Sequence, residues 1–535
     1  MTSKLFYQSD SPHWNSVNWK HAEKNIANLQ HRITMATKRG DNQQVRNLQR
    51  LLVRSLSGRL KAVRQVAQEN QNKKTPGIDG KLWTTPQQKF QAALDLRKKS
   101  KTLPLRRIFI PKKDGSLRLN QLLLFEGSCL ASGCGLRPLG IPAIRDRAAQ
   151  AVWNFALLPV VEQTSDAAFY GFHPYRSCWD AFAQIRTVFS KKNSAEWVLV
   201  ADIRKMFDTI DHNWLLENTP VEKKILKSWL KSGFFAGNEF SLTESGTPQV
   251  GIIFPTLANL TLNGLEVFLE KRFSKPCVQS KAAGHRFNEQ GTKTGGYHPT
   301  KINVVRYEND FIVSGRSARQ LELVRSAIET FLKPRGLQFH EDKNCITRVH
   351  SGFHFLGWKF WKTPNGAFLG QISRSSLKAH QEKIKNTIKE SGNLPTPALI
   401  RKLNEQINGW TNYHRCSDGL WKVWGKMNKY VYELLWKWAR KRHGKRSHTW
   451  IYNHHWLHLD GRRTFFAKEL ANFAPTEQSM GEKPLTAALR LRPQGFSNRK
   501  VNAEKLYTLK PYSARKILIR RLPASIKIFD LGQEP

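Results

Sequence analysis

The chain has 535 residues, 40% of them apolar, which allows roughly three or four domains and excludes a disordered chain. Lys and Arg total 87 against 41 Asp and Glu, a formal charge of +46 that calls for a polyanionic partner. The 17 Trp and 29 Phe favour a nucleic acid with accessible bases over a membrane surface, and no apolar run approaches the ~18 residues of a membrane-spanning helix.

Met1 to Trp14 shows neither an apolar signal core nor an Arg-rich transit pattern. From residue 17 to 70, Leu29, Ile33, Val45, Leu48, Leu51 and Leu52 recur at helical spacing among Lys and Arg, which predicts a helical bundle. Thr75-Pro76-Gly77-Ile78-Asp79-Gly80 is a turn. Between Leu105 and Phe360 short strands alternate with helices, the pattern of an α/β domain. Within it the apolar run Trp197 to Ala201 ends in Asp202. About a hundred residues on, Ile302 to Arg306, Tyr307-Glu308-Asn309-Asp310 and Phe311 to Val313 read as strand, tight turn, strand. Side by side, these strands would aim Asp202 and the turn at one point, as a template-directed polymerase needs for holding two divalent ions. Asn309 stands where a second strong anionic ligand is expected.

After Arg374 the chain turns to long basic helices carrying Trp410, Tyr413, Trp421, Trp424, Trp436 and Trp438, suited to packing while presenting cations to phosphate. His448, His454, His455 and His458 lack paired cysteines or acids, so neither a metal site nor a nuclease is expected there. The six cysteines form no Cys-x-x-Cys pair; no disulfide framework or structural zinc is expected, and the default is a reducing compartment.

Several ordered motifs resemble the group II intron-encoded reverse transcriptase/maturase family. They are Arg106-Arg107-Ile108-Phe109-Ile110-Pro111-Lys112, Arg137-Pro138-Leu139-Gly140-Ile141-Pro142, Tyr170-Gly171-Phe172, Gly246-Thr247-Pro248-Gln249, Phe355-Leu356-Gly357-Trp358, Asn408-Gly409-Trp410-Thr411-Asn412-Tyr413-His414 and Trp436-Lys437-Trp438-Ala439-Arg440-Lys441-Arg442-His443. The resemblance implies an α/β (α+β) right-hand polymerase fold: an α-helical N-terminal extension (1–80), fingers and palm (81–374, with an insertion at 119–135), an α-helical thumb/maturase domain (375–475) and a basic C-terminal nucleic-acid-binding segment (476–535) without a His-Asn-His nuclease. It implies Asp202 and Asp310 as ligands of Mg²⁺, with the Ile203 carbonyl beside them and Asn309 as a degenerate ligand. Arg107, Lys112 and Arg137 would grip a triphosphate, Phe207 would block a ribose 2′-hydroxyl, and Gln249 would lie beside the primer-template. Arg440, Lys441, Arg442, Trp410 and Tyr413 would contact RNA. The implied partners are group II intron RNA and, beyond it, target DNA, in a bacterial cytoplasm or an organelle that encodes the protein.

Departures from the family pattern fall on the polymerase site. Functional members carry Tyr-Ala-Asp-Asp where this chain has Tyr307-Glu308-Asn309-Asp310, and strand alternation is expected to turn Glu308 away. Gln-Gly-Gly and Ser-Pro are here Gln249-Val250-Gly251 and Phe254-Pro255, expected to put a β-branched side chain and a ring where backbone approaches substrate. The expectation is a maturase that binds intron RNA and promotes its folding and splicing, with polymerisation impaired. The alternatives are an active RNA-directed DNA polymerase supporting intron mobility, in which Asp202, Asp310 and Glu308 hold the metal, and a relative recruited for host use.

Overall fold

The computed structural model describes residues 13–98, 100–111, 136–248, 251–273, 301–340, 343–459, 462–469 and 505–512. They form two compact units: one runs to Leu356 and includes Trp361–Phe368, the other comprises Gly357–Phe360 and the described residues between Leu369 and Tyr512.

In the first unit, helix starts follow from local side-chain chemistry. Asn18, Asp41 and Ser55 accept hydrogen bonds from the N–H groups of His21, Gln44 and Gly58, capping α1 (Trp19–Lys38), α2 (Asn42–Arg54) and α3 (Leu56–Arg64). A Thr85/Gln88 capping box starts α4 (Pro86–Asp95). The apolar faces of the first three, Ile33, Val45, Leu48, Leu52, Leu60 and Val63, close on Ala148, Val152 and Ala156 of α5 (Ile144–Thr164). Leu51, expected with them, is 51% exposed because it lies off that face. The buried Arg147 of α5 donates to the carbonyls of Asn72 and Thr75, so the turn after the bundle is fastened to the same helix. The N-terminal extension thereby shares one packed core with α5.

Two sheets build the rest of this unit. One has the order β2-β1-β4-β5, with β1 (Leu105–Pro111) antiparallel to β2 (Leu136–Ile141) and followed by β4 (Phe234–Ala236) and β5 (Glu239–Ser241). The other has the order β6-β7-β3-β8, from β3 (Trp197–Asp202), β6 (Val304–Tyr307), β7 (Asp310–Gly315) and β8 (Cys345–Arg348), antiparallel throughout. Phe311, Ile312 and Val313 are buried in succession. Both faces of this strand are therefore covered, which explains an unbroken apolar run instead of alternation. Helices α6 (Cys178–Phe189) and α12 (Ala318–Leu332) pack on this sheet, and α7 (Met206–Thr209), α8 (His212–Asn218), α9 (Lys223–Leu230), α10 (Phe254–Leu262) and α11 (Leu265–Phe273) complete the core.

The chain passes to the second unit through β9 (Phe353–Phe355), β10 (Trp358–Lys362) and β11 (Phe368–Ile372). Helices α13 (Arg374–Glu390), α14 (Thr396–His414), α15 (Leu420–Arg442) and α16 (His448–His455) come next, closing on Ile384, Leu399, Leu403, Met427, Leu435 and Trp438. This unit is not wholly helical as expected: β12 (Trp456–Leu459), β13 (Arg462–Glu469) and β14 (Lys505–Thr508) form an antiparallel sheet. The run Thr464-Phe465-Phe466 is β-branched and aromatic, suited to a pleated half-buried surface. The expected boundary at 476 is corrected in part. Lys505–Thr508 pairs with Phe466–Glu469, and the buried Tyr512 hydroxyl meets His380 Nε2 at 2.9 Å, so these residues belong to the second unit and not to a separate arm. Residues 476–504 and 513–535 lie outside the described residues, as does the 119–135 insertion.

Candidate active site

Antiparallel pairing of β3 with β7 puts Asp202 directly opposite Asp310, and Glu308 and Asn309 form the turn between β6 and β7. Glu308 is held at φ +58°, a left-handed conformation uncommon for a residue with a side chain. Its neighbours over-determine it. Arg306, 1% exposed, donates to the Glu308 carbonyl at 3.1 Å and to Asn259 Oδ1 at 3.2 Å, with its guanidinium 4.0 Å from the Phe169 ring centroid. Asn259 in turn donates to the Gly171 carbonyl. A Cβ on Gly171 would lie 2.3 Å from the Glu308 nitrogen, so Tyr170-Gly171-Phe172 needs its glycine for close approach. Glu308 is thus a turn residue packed on Gly171, so the alternation of a strand does not govern where its side chain points. Burial pushes its carboxyl pKa up.

All four polar atoms of Asp202 are engaged. Its N–H donates to Asn344 Oδ1 at 2.9 Å and its carbonyl accepts from the His340 N–H at 2.9 Å. Its carboxylate accepts from Asn309 Nδ2 at 2.6 Å through Oδ1 and from Lys343 Nζ at 2.9 Å through Oδ2. A carboxylate only accepts, so the facing atom of Asn309 is its NH₂ group and its amide oxygen points elsewhere. Burial, then the neighbouring Asp202 charge, pushes the Asp310 carboxyl up to about 6. Divalent ions of the magnesium type need oxygen lone pairs and surplus negative charge. The set here offers two carboxylates, one of them capped by an amide and an ammonium, and so does not fit a two-metal site as arranged. Lys343, Asn344 and His340 were missed in the sequence because more than 130 residues separate them from Asp202; the only signal is a polar cluster just before the short strand Cys345–Arg348.

The remaining expected residues are placed unevenly. Phe207, half-buried on α7, meets the Phe172 ring edge-on at 6.1 Å, and its carbonyl accepts from the Thr247 N–H. Gly246, at φ +81°, leaves no room for a Cβ against the Asp208 backbone, and His212 Nε2 contacts its carbonyl at 2.6 Å, so this turn is locked beside α7. The Arg107 guanidinium lies 3.4 Å from the Phe234 ring centroid. Arg137 is on β2 opposite Ile110. The Ile203 N–H donates to the Asn309 carbonyl. Phe254 corrects an expectation: it is fully buried in the core at the start of α10, so its ring does not enter substrate space. Lys112, Gln249 and Val250 lie outside the described residues.

In the second unit, α15 separates its two faces by period. Lys422, Lys426, Lys429, Lys437 and Arg440 are exposed and fall within about 80° of one another at 100° per residue, a stripe about 27 Å long interrupted by Glu433. Trp424, Met427, Val431, Leu435 and Trp438 are buried on the opposite side. Lys441 is exposed beside the stripe, whereas Arg442 turns toward the core side and donates to the carbonyls of Gly392 and Leu394. Trp410 is taken up by packing: it stacks on His380 at 4.4 Å and meets His414 and Tyr512 edge-on. Tyr413 is partly exposed but stacks on Trp358 at 5.0 Å. Trp421 is 71% exposed. Of the histidines, His454 and His455 cluster with His443, which spacing along the chain does not group with them.

Three family models match consecutive parts of the chain: the N-terminal domain of reverse transcriptase over residues 14–96, reverse transcriptase (RNA-dependent DNA polymerase) over 110–360, and the group II intron maturase-specific domain over 377–456. Protein YkfC of Escherichia coli (strain K12) is 30% identical, over 53% of this chain and 75% of its own length. The chain belongs to the group II intron-encoded reverse transcriptase/maturase family. Within that family it is 25% identical to the group II intron-encoded protein LtrA of Lactococcus lactis subsp. cremoris, over 62% of this chain and 63% of the relative. It is 24% identical to maturase-like protein 1 of Euglena gracilis, over 75% of this chain and 77% of the relative. The chain thus spans less than two thirds of the Lactococcus relative. The matched reverse transcriptase domain carries the right-hand polymerase fold, and such domains generally use divalent metal ions. Among the described residues no helix is long and apolar enough to cross a membrane.

Proposed function

We propose that this chain is a maturase that binds group II intron RNA and promotes its folding and splicing, and that its reverse transcriptase domain no longer polymerises. In the right-hand description, the β6-β7-β3-β8 sheet is the palm, the β2-β1-β4-β5 sheet belongs to the fingers and the helices of the second unit are the thumb. The observation that carries the reading is the closure of the Asp202 carboxylate by Asn309 and Lys343. The cationic stripe on α15 supports the RNA-binding half: exposed Lys and Arg repeated along one helix face match phosphates without reading sequence. No catalytic step is assigned to the protein, since the intron RNA supplies the splicing chemistry. The alternative, an active polymerase supporting mobility, has in its favour the register that sets Asp202 against Asp310.

The test is splicing in vitro of the group II intron RNA found with this gene, at a magnesium concentration where the RNA alone is slow. The unmodified chain and Asp202→Asn should accelerate splicing equally. Loss of acceleration in a folded Asp202→Asn protein would contradict the reading, because it would tie splicing to the acidic site.

A further inference from the structure

We propose that His443, His454 and His455 form a binding site for a nitrogen-preferring transition-metal dication, zinc being the type ion, that staples the end of α15 to the end of α16. Each histidine offers one ring nitrogen, and the three nitrogens lie within 4.8 Å of one another. His443 Nε2 and His455 Nε2 are 3.0 Å apart. Tetrahedral zinc with Zn–N bonds of ~2.0–2.1 Å holds its nitrogens about 3.3 Å apart, so a small opening of this pair accommodates an ion.

The site is built from both helix ends. His443 is the cap residue of α15, with its N–H donating to the Ala439 carbonyl, and His454 and His455 close α16 after the short 444–447 connection. Aromatic rings fix the imidazole planes: Trp450 stacks on His454 at 4.5 Å, Phe465 stacks on His455 at 5.4 Å, and Trp438 meets His455 edge-on. His455 is buried and His454 exposed, so one side is walled and the other open to a water as fourth ligand.

The chemistry of the set selects the ion. Three imidazoles without a carboxylate suit zinc, nickel or copper and are unsuited to magnesium or calcium, which require oxygen. The nearest guanidiniums, of Arg442 and Arg446, oppose a dication, but each has its own partner: Arg442 the carbonyls of Gly392 and Leu394, Arg446 the Trp450 ring at 5.0 Å. The absence of paired cysteines, which argued against structural zinc in the sequence, does not bear on an all-nitrogen site. Such an ion would fix the helix end that carries Arg440 and Lys441.

The experiment uses the untagged full chain stripped with EDTA. Zinc chloride is titrated calorimetrically and cobalt(II) chloride by absorption, with magnesium chloride as comparison. One zinc per chain is expected, with a cobalt spectrum free of thiolate charge transfer and no magnesium response. Affinity should fall by more than the ~10–100-fold typical of an outer-shell substitution in both His443→Ala and His454→Ala. It should be unchanged in His448→Ala and His458→Ala. If His443→Ala does not fold, the exposed His454→Ala carries the readout. Zinc binding no tighter than in the His443→Ala/His454→Ala double variant, or thiolate charge transfer in the cobalt form, would overturn the proposal.

Discussion

The acidic site of the first unit and the basic face of the second treat their charges in opposite ways. Around Asp202 the polar groups have turned on one another: amide, ammonium, side-chain oxygen and backbone N–H satisfy every polar atom of one aspartate. Along α15 the cations of the stripe stand on the solvent face, with apolar packing behind them. A charge satisfied internally gains structure and loses the capacity to bind a metal, while an exposed cation contributes little to stability and keeps its capacity for phosphate. On the proposed reading, a polymerase scaffold persists here as the frame of an RNA-binding protein.

The largest expected effect breaks the second half of this comparison. Replacing Lys422, Lys426, Lys429, Lys437 and Arg440 together with Ala should weaken RNA binding by orders of magnitude at low salt and reduce the slope of log affinity against log salt by about 4. Filter binding between ~50 and ~200 mM salt reads it. Arg442→Ala, by contrast, should lower stability by about 1 kcal/mol through loss of its carbonyl contacts, read as a lower melting temperature, while leaving the salt slope nearly unchanged. A slope that falls with Arg442 and not with the stripe would place the RNA on another face.

A smaller effect sharpens the first half. If the amide and the ammonium close the acidic site, the pair Asn309→Asp and Lys343→Ala should together open it, and manganese(II) bound to the full chain should tighten by at least ~10-fold, as read by electron paramagnetic resonance. One change adds a carboxylate oxygen and the other removes an opposing ammonium, and both favour a dication that binds through oxygen. Equal manganese binding by both proteins would mean that Asn309 and Lys343 do not close the site.

Buried histidines and buried carboxylates respond oppositely to acid. Burial, with Lys383 nearby, pulls His380 down to about 4, and burial together with His380 does the same to His414. These histidines stay neutral when folded and charge when unfolded, so their stabilisation is present above ~6.5 and is lost as pH falls toward 4, on the order of 2 kcal/mol each at pH 5. Asp310 and Glu266 run the other way: burial first, then neighbouring acids, raises them to about 6 and about 7. Their contribution is fullest below the unfolded value near 4 and is lost as pH rises through the folded value. Hydrogen exchange at pH 7.5 and 5.0, corrected for intrinsic rates, should show α14 losing protection on acidification while β7 holds or gains. Loss confined to β7 would reverse the assignment.

How much of the molecule is legible in the sequence depends on separation along the chain. The hairpin at 304–315, the strand ending in Asp202 and the helical bundle are readable because strand, turn and helix patterns are local. Lys343 and Asn344 are not, since no local pattern says which residue will face an aspartate some 140 positions earlier. Phe254 misleads because a motif gives residue order but not burial. Trp410 misleads because aromatic-plus-basic composition describes equally a ring that stacks on a base and one that stacks on His380. The stripe on α15 is present in the sequence as a period of 3.6, but the adjacent run Arg440-Lys441-Arg442 is the more conspicuous pattern, and only helix phase shows that its members face different ways.

Primer extension decides whether the acidic site is closed and the chain does not polymerise. Purified protein is given a primed RNA template, deoxynucleotides and magnesium, beside Asp202→Ala. No extension above the level of Asp202→Ala is expected. Robust extension by the unmodified chain that disappears in Asp202→Ala would contradict it, and would mean that Asp202 and Asp310 exchange their internal partners for metal when substrate binds.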